Sequence, residues 1–220
     1  MTSIMALLHR DFQLALRQGG LGTAIGFLLS LIVLVPLSLG PDQALLSKIA
    51  PGIMWLGLLL AVLLTAEHIF QQDFEDGSLE VMTLSKVPFE LICLTKSFSH
   101  WLTVSLPLAL LAPALGLMLN INVGELPLLW VSMITGSLAL SLLASIGGAI
   151  TAGLRRGSLL VALLVLPLYV PVLIFGIATS TSMLTPNTTL PSLIILTAIT
   201  LAVLAISPFA CAAALKAYLR

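Results

Sequence analysis

The sequence predicts an all-α polytopic membrane protein with six transmembrane helices, and three observations carry that prediction. Of its 220 residues, 59% are apolar and 8% are charged, roughly a third of the charged share usual in soluble domains. Its mean hydropathy is +1.17. The few charges leave long gaps: residues 18–41, 49–66, 97–124, 126–154 and 157–215 hold no Asp, Glu, Lys or Arg. A small chain keeps a large exposed fraction, so water cannot be the solvent for this composition. A soluble enzyme, a nucleic-acid binder and a disordered protein are excluded. Nine Lys+Arg balance nine Asp+Glu, leaving no basic excess to gather phosphates.

The first element is Met1–Arg17. On a helical wheel Met1, Ile4, Met5, Leu8, Phe12, Ala15 and Leu16 share one face, opposite Thr2, Ser3, His9, Arg10, Gln13 and Arg17. That pattern suits a helix lying in the membrane interface, either as a plain anchor or as an elbow that also packs on a partner. Asp11 falls in the apolar arc, which calls for a bond to a neighbouring helix end or a tilt of the segment. The apolar run that follows is too long for a cleavable signal peptide.

About 20 apolar residues cross the hydrocarbon core. The first four uncharged windows each fit one crossing, and the last suits two, broken at Thr179–Pro191 where polar residues and prolines cluster. The expected spans are about 19–39, 49–66, 98–119, 127–153, 158–178 and 192–214. Pro167 and Pro171 mark span five as the place for a broken or re-entrant helix. Trp55 and Trp130 fit an outer aromatic belt and Trp101 an inner one. Six crossings put Arg10, Arg17, Lys86, Lys96, Arg155, Arg156, Lys216 and Arg220 on one side, and only Lys48 on the other. That bias predicts cytoplasmic termini. The chain divides into an interfacial helix (1–18), a transmembrane domain (19–215) with a cytoplasmic loop at 67–96, and a short tail (216–220).

The 67–96 loop holds eight of the eighteen charges, six of them acidic. Within it Asp76-Gly77-Ser78-Leu79-Glu80 reads as a turn entering a short helix. Ser78 is the expected cap, and Glu80 complements the helix dipole. Leu79, Val81, Met82 and Leu84 supply an apolar side, and Pro88 limits the helix. Such an element is either a docking knob or a solvated connector.

These residues resemble a known family. Leu39-Gly40-Pro41, Ile49-Ala50-Pro51-Gly52-Ile53 with Trp55, Asp73-x-x-Asp76-Gly77-Ser78-Leu79-Glu80, Lys96-x-x-x-His100-Trp101 and Ser207-Pro208-Phe209-Ala210 together look like the CcmB family, a branch of the ABC-2-type permeases. The resemblance covers residues 36–210. It implies an ABC-2 (type V exporter-like) permease subunit in the bacterial inner (cytoplasmic) membrane, working in cytochrome c maturation. Two copies would pair with the ATPase subunit CcmA and associate with the haem-handling CcmC and the small CcmD. ATP bound on CcmA would drive release of the haem-loaded chaperone CcmE. By the same resemblance the chain binds no cofactor alone, and haem is handled by the complex. Asp73, Asp76, Gly77, Ser78, Leu79 and Glu80 become the residues that couple to the ATPase. One departure stands out: His68 occupies a place where the family carries arginine.

The residues agree with this reading. No GxxxxGK[ST] phosphate loop occurs in the sequence, so ATP chemistry needs another chain. The rival is an ion-coupled carrier or another small polytopic carrier unrelated to haem, but no expected span has a charge at its centre. An intramembrane enzyme lacks paired carboxylates or HExxH, and no metal site is expected. His100 beside Trp101 is the candidate for an interface or haem-proximal position, with an interfacial pair as the plainer reading. Cys93 and Cys211 form no CxxC, so no thiol chemistry is expected. Gly22 and Gly26 with Ser30 in span one, and Ser137, Ser141, Ser145 and Gly148 in span four, make small-residue stripes for close helix packing, within one protomer or against a second copy or CcmC.

Overall fold

The computed structural model describes residues 8, 10–13, 20–40, 42–85, 87–154, 157–181 and 186–218, with backbone alone at 157–159 and 186–189. In chain order the helices are α1 (Gly20–Leu39), α2 (Gln43–Ala66), α3 (His68–Glu75), α4 (Ser78–Thr83), α5 (Phe89–His100), a π-helical turn (Trp101–Ser105), α6 (Leu106–Met118), α7 (Leu126–Thr151), α8 (Gly157–Ser180) and α9 (Pro186–Tyr218). Six helical stretches among the described residues are long and apolar enough to cross a membrane: Gly20–Leu39, Gln43–Glu75, Phe89–Met118, Leu126–Thr151, Leu160–Ser180 and Leu190–Tyr218. The six expected crossings are therefore present. Of the interfacial segment, residues 10–13 are helical; most of Met1–Arg17 lies outside the described residues.

Two boundaries differ from expectation. The second and third spans run further than their uncharged windows, to Glu75 and from Phe89. Only 76–88 remains as a hairpin, and much of the 67–96 segment is helix. A helix satisfies its own backbone, so it can carry charged residues past the hydrocarbon edge without unwinding. Span five is not broken: α8 is continuous through Pro167 and Pro171. Apolar surroundings leave an unwound stretch no water to bond, so prolines are absorbed within the helix.

Helix α7 is the axis of the bundle. It packs against α2, α3, α5, α6, α8 and α9. Its residues Ser132, Gly136, Ser137, Leu140, Ser141, Ala144, Ser145 and Gly148 are buried. Small side chains let neighbouring helices approach closely where lipid supplies no hydrophobic drive to associate. A Cβ at Gly148 would stand 2.6 Å from the Ala66 carbonyl oxygen, so α2 and α7 touch nearly backbone to backbone there. The stripe on α1 behaves differently. Gly22 and Gly26 are exposed, and nothing lies within 4 Å of where their Cβ atoms would be.

Trp55 is not in an aromatic belt. It is fully buried. A Cβ on Gly136 of α7 would come 2.3 Å from its ring, and one on Gly176 of α8 would come 2.4 Å from it. Its Nε1 donates to Ser180 Oγ at 3.0 Å, and that hydroxyl is 3.0 Å from Ser132 Oγ. The two glycines thus open a slot that one indole fills, with its polar edge satisfied. Trp130, 39% exposed, does face outward.

Gly136→Ala overfills this slot and should lower stability by about 1–3 kcal/mol. Thermal unfolding in detergent checks it, and Trp55→Leu in the same chain should restore part of the loss.

Candidate functional site

The hairpin between the second and third spans is shaped by three consecutive residues. Asp76 Oδ1 accepts the Ser78 backbone N–H at 2.8 Å. Gly77 takes φ +75°, a left-handed conformation that glycine adopts without steric penalty. Ser78 is the first residue of α4 rather than its cap; Gly77 stands at the cap position without a side chain, and Asp76 binds the first helical N–H from the turn before it. The Ser78 hydrogen bond holds the Asp76 carboxyl below its usual pKa. Leu79 and Met82 are buried, and α4 packs on α3 and α5. Val81 is 69% exposed and Leu84 is 86% exposed. The apolar residues of α4 and its C-cap Leu84 therefore split: Leu79 and Met82 seat the helix, while Val81 and Leu84 are presented outward beside the exposed Glu80.

Behind the hairpin stands a partly buried charged quartet. Lys96 on α5 is 5% exposed. Its Nζ pairs with Asp73 Oδ2 on α3 and, at 3.4 Å, with Asp11 Oδ2. Arg10 Nη2 lies 2.8 Å from Asp73 Oδ1 and 3.1 Å from Asp11 Oδ1. Partial burial alone would lower the Arg10 pKa, but the Asp73 and Asp11 carboxylates outweigh it and raise it. Two cations and two carboxylates cancel, as burial requires. The quartet ties the N-terminal segment to the feet of the second and third spans. It also answers what Asp11 does in an apolar arc, and it supplies the cationic partners of Asp73 from Arg10 and Lys96. His68 is exposed. A second tie at this end joins Lys216 of α9 to Glu90 of α5 at 2.8 Å.

Deeper in the bundle His100 is buried with both ring nitrogens engaged. Nε2 lies 2.9 Å from Thr65 Oγ1, and Nδ1 lies 3.3 Å from Ser141 Oγ. The Thr65 hydroxyl already donates to the Val62 carbonyl at 3.0 Å. It must therefore accept from Nε2–H, which leaves Nδ1 to accept from Ser141. Ser105 Oγ, 2.5 Å from Ser141, then donates to it. The imidazole is oriented as a core hydrogen-bonding group, with both nitrogens engaged. Trp101 Nε1 donates to Ser137 Oγ at 3.0 Å. Both residues sit where α5 passes into the π-helical turn, a geometry that is rare and costs regular hydrogen bonding. Thr103 Oγ1 donates to the Ser99 carbonyl at 2.7 Å inside this turn.

An open cavity of about 510 Å³ lies between α1, α2–α3 and α5. Asp11, Asp73, Lys96, Ser99 and His100 line it.

The expected coupling residues thus separate into two groups. Asp76, Gly77, Ser78 and Glu80 form the hairpin tip with Leu79 beneath it. Asp73 is buried behind it in the quartet. Ser137, Ser141 and Ser145 do pack inside the protomer, each with a partner from another element: Trp101, His100 and Cys211 Sγ at 3.5 Å. Arg10, Asp11, Lys96 and Thr65 were not picked out as site residues from the sequence. The charge of Asp11 on an apolar face was the one signal available. Among the described residues no three of His, Cys, Asp and Glu converge as metal ligands. Cys93 and Cys211 are buried free thiols.

Asp76→Ala removes the acceptor for the Ser78 N–H and should cost about 0.5–2 kcal/mol locally. Faster amide exchange over residues 78–83 measures it, with Asp76→Asn retaining protection. Because the folded pKa of Asp76 is depressed, this contribution is present above the ordinary carboxyl pKa of about 3.9 and fades as pH falls through the lower folded value. Lys96→Met strands buried carboxylates and should destabilise by about 3–5 kcal/mol. Adding Asp73→Asn should recover part of that in thermal unfolding.

Comparison with known proteins agrees with these features. The family model described as CcmB protein matches residues 2–218. Heme exporter protein B of Paracoccus denitrificans is 49% identical over 216 residues, covering 98% of this chain and 99% of that protein. Heme exporter protein B of Bradyrhizobium diazoefficiens is 46% identical over 219 residues, with 98% of each covered. Heme exporter protein B of Escherichia coli K12 is 38% identical over 215 residues, covering 94% of this chain and 96% of that protein. With its six membrane-length helices and its DGSLE hairpin, this chain belongs to the CcmB family.

Proposed function

We propose that this chain is the permease subunit of an ABC transporter complex for haem handling in cytochrome c maturation. It sits in the bacterial inner membrane with both termini in the cytoplasm, the orientation that eight Lys and Arg against one favour. Two copies pair with two ATPase subunits (CcmA) and associate with CcmC and CcmD. ATP hydrolysis in the partner drives release of haem-loaded CcmE, and this chain converts that chemistry into motion.

The single observation that carries the reading is α4. It is a capped, six-residue helix at the tip of a hairpin, seated by Leu79 and Met82 and presenting Glu80, Val81 and Leu84. Its two arms, α3 and α5, are joined just behind it by Asp73 and Lys96. A push on α4 therefore moves the feet of two membrane spans together. The sequence holds no phosphate-binding loop of its own, so the engine is a separate subunit.

The ion-coupled carrier fits less well. A proton relay needs titrating groups near mid-bilayer. The buried charges here cluster at the feet of the second and third spans and neutralise one another.

Glu80→Lys reverses a presented charge, and Gly77→Pro forbids the left-handed turn. Each variant should leave the complex assembled and hydrolysing ATP while release of haem-loaded CcmE falls about tenfold or more, the loss expected when a contact worth about 1.4 kcal/mol is removed. Assembly, ATPase rate and chaperone release measured on the same preparation check this. Normal release by both variants contradicts it.

A further inference from the structure

The cavity beside the quartet has a lining that the lever role leaves unused, and we infer that it binds a phospholipid with a zwitterionic, amine-bearing headgroup. Its volume of about 510 Å³ lies within the range of ligand sites, about 300–1,000 Å³. The lining is amphipathic. Charged and polar groups (Asp73, Lys96, Gln71, Glu75) occupy one part, and Leu64 and Val104 occupy another, with half of Leu64 exposed.

Ser99 supplies the observation that points to a ligand. It lines the cavity and is 5% exposed, and its hydroxyl has no hydrogen-bond partner. Its neighbours on the same helical stretch are satisfied by the carbonyl one turn back: Thr95 by Leu91, Ser97 by Cys93 and Thr103 by Ser99. A buried hydroxyl left without a partner is unfavourable, and one that faces a cavity is satisfied by what fills it.

The charges select the headgroup. Lys96 has three N–H donors, and two are taken by Asp73 and Asp11. The third, with Ser99, suits a phosphate oxygen. Glu75, whose Oε1 accepts from Gln71 at 2.9 Å, keeps a second oxygen for an ammonium. The quartet is already neutral, so an anionic headgroup without an amine would meet the negative charge of Glu75 uncompensated. The cavity also lies where α2 passes into the charged α3, at the end of the span, where headgroups reside. A soluble aminophosphate has the same polar chemistry but no chain to cover the exposed half of Leu64.

The test uses the full chain in the assembly with which it purifies, stripped of lipid in detergent. Native mass spectrometry follows titration with phosphatidylethanolamine, phosphatidylglycerol and soluble glycerophosphoethanolamine. Phosphatidylethanolamine should bind about fivefold or more tighter than phosphatidylglycerol, and Ser99→Ala should weaken it about threefold to tenfold, the range for one hydrogen bond. Ser99→Leu, which fills the floor, should abolish that adduct, and the soluble headgroup should not compete. Ser99→Ala removes one oxygen and keeps the helix, so it decides the matter if the leucine variant fails to fold. Equal binding of the two lipids, unchanged affinity in Ser99→Ala, or competition by the soluble headgroup would overturn the proposal.

Discussion

The ion pair between Asp73 and Lys96 is the constraint on which the hairpin depends. One partner ends the second span and the other begins the third, and the turn and α4 lie between them. Both side chains are buried. Separating them would expose uncompensated charge to an apolar interior, a cost of several kcal/mol. The two feet are therefore held to move as one body. Arg10 and Asp11 extend the same clamp to the N-terminal segment. A hairpin anchored in this way transmits displacement, whereas a loop of the same length without the clamp would absorb it.

A second constraint comes from lipid. Hydrocarbon offers no hydrogen-bond partner, so buried polar side chains turn to one another and to the backbone. Helix α7 provides several of these partners along its length. Ser132 meets Ser180, Ser137 meets the Trp101 indole, Ser141 meets His100, and Ser145 meets Cys211. The same small residues let the helices approach, so one helix supplies both close packing and polar satisfaction. At the start of the π-helical turn in the third span, His100 and Trp101 lie against Ser141 and Ser137. On α1, Gly22 and Gly26 face outward and meet none of the described residues.

The number of spans was legible in the sequence because charge is nearly forbidden in hydrocarbon, and its absence marks each crossing directly. The hairpin tip was legible because Asp-Gly-Ser encodes a turn through local chemistry. Span ends were less so. Residues 67–75 are polar yet helical, since a helix needs no apolar residues to continue beyond the hydrocarbon. Pro167 and Pro171 suggested a break that apolar surroundings suppress. Trp55 looked like a belt residue because its burial depends on Gly136 and Gly176, far away in sequence. The quartet was hidden for the same reason: Arg10, Asp11, Asp73 and Lys96 meet only when three elements pack, and no local pattern announces that meeting.

The account turns on what the outward face of α4 touches. A photo-crosslinking residue placed at Val81, and separately at Leu84, in the intact membrane assembly measures this directly. The account predicts capture of a nucleotide-binding subunit from both positions, with a yield that changes when ATP is added. Crosslinks confined to lipid or to this chain itself, in an assembly that still contains its ATPase, would contradict it.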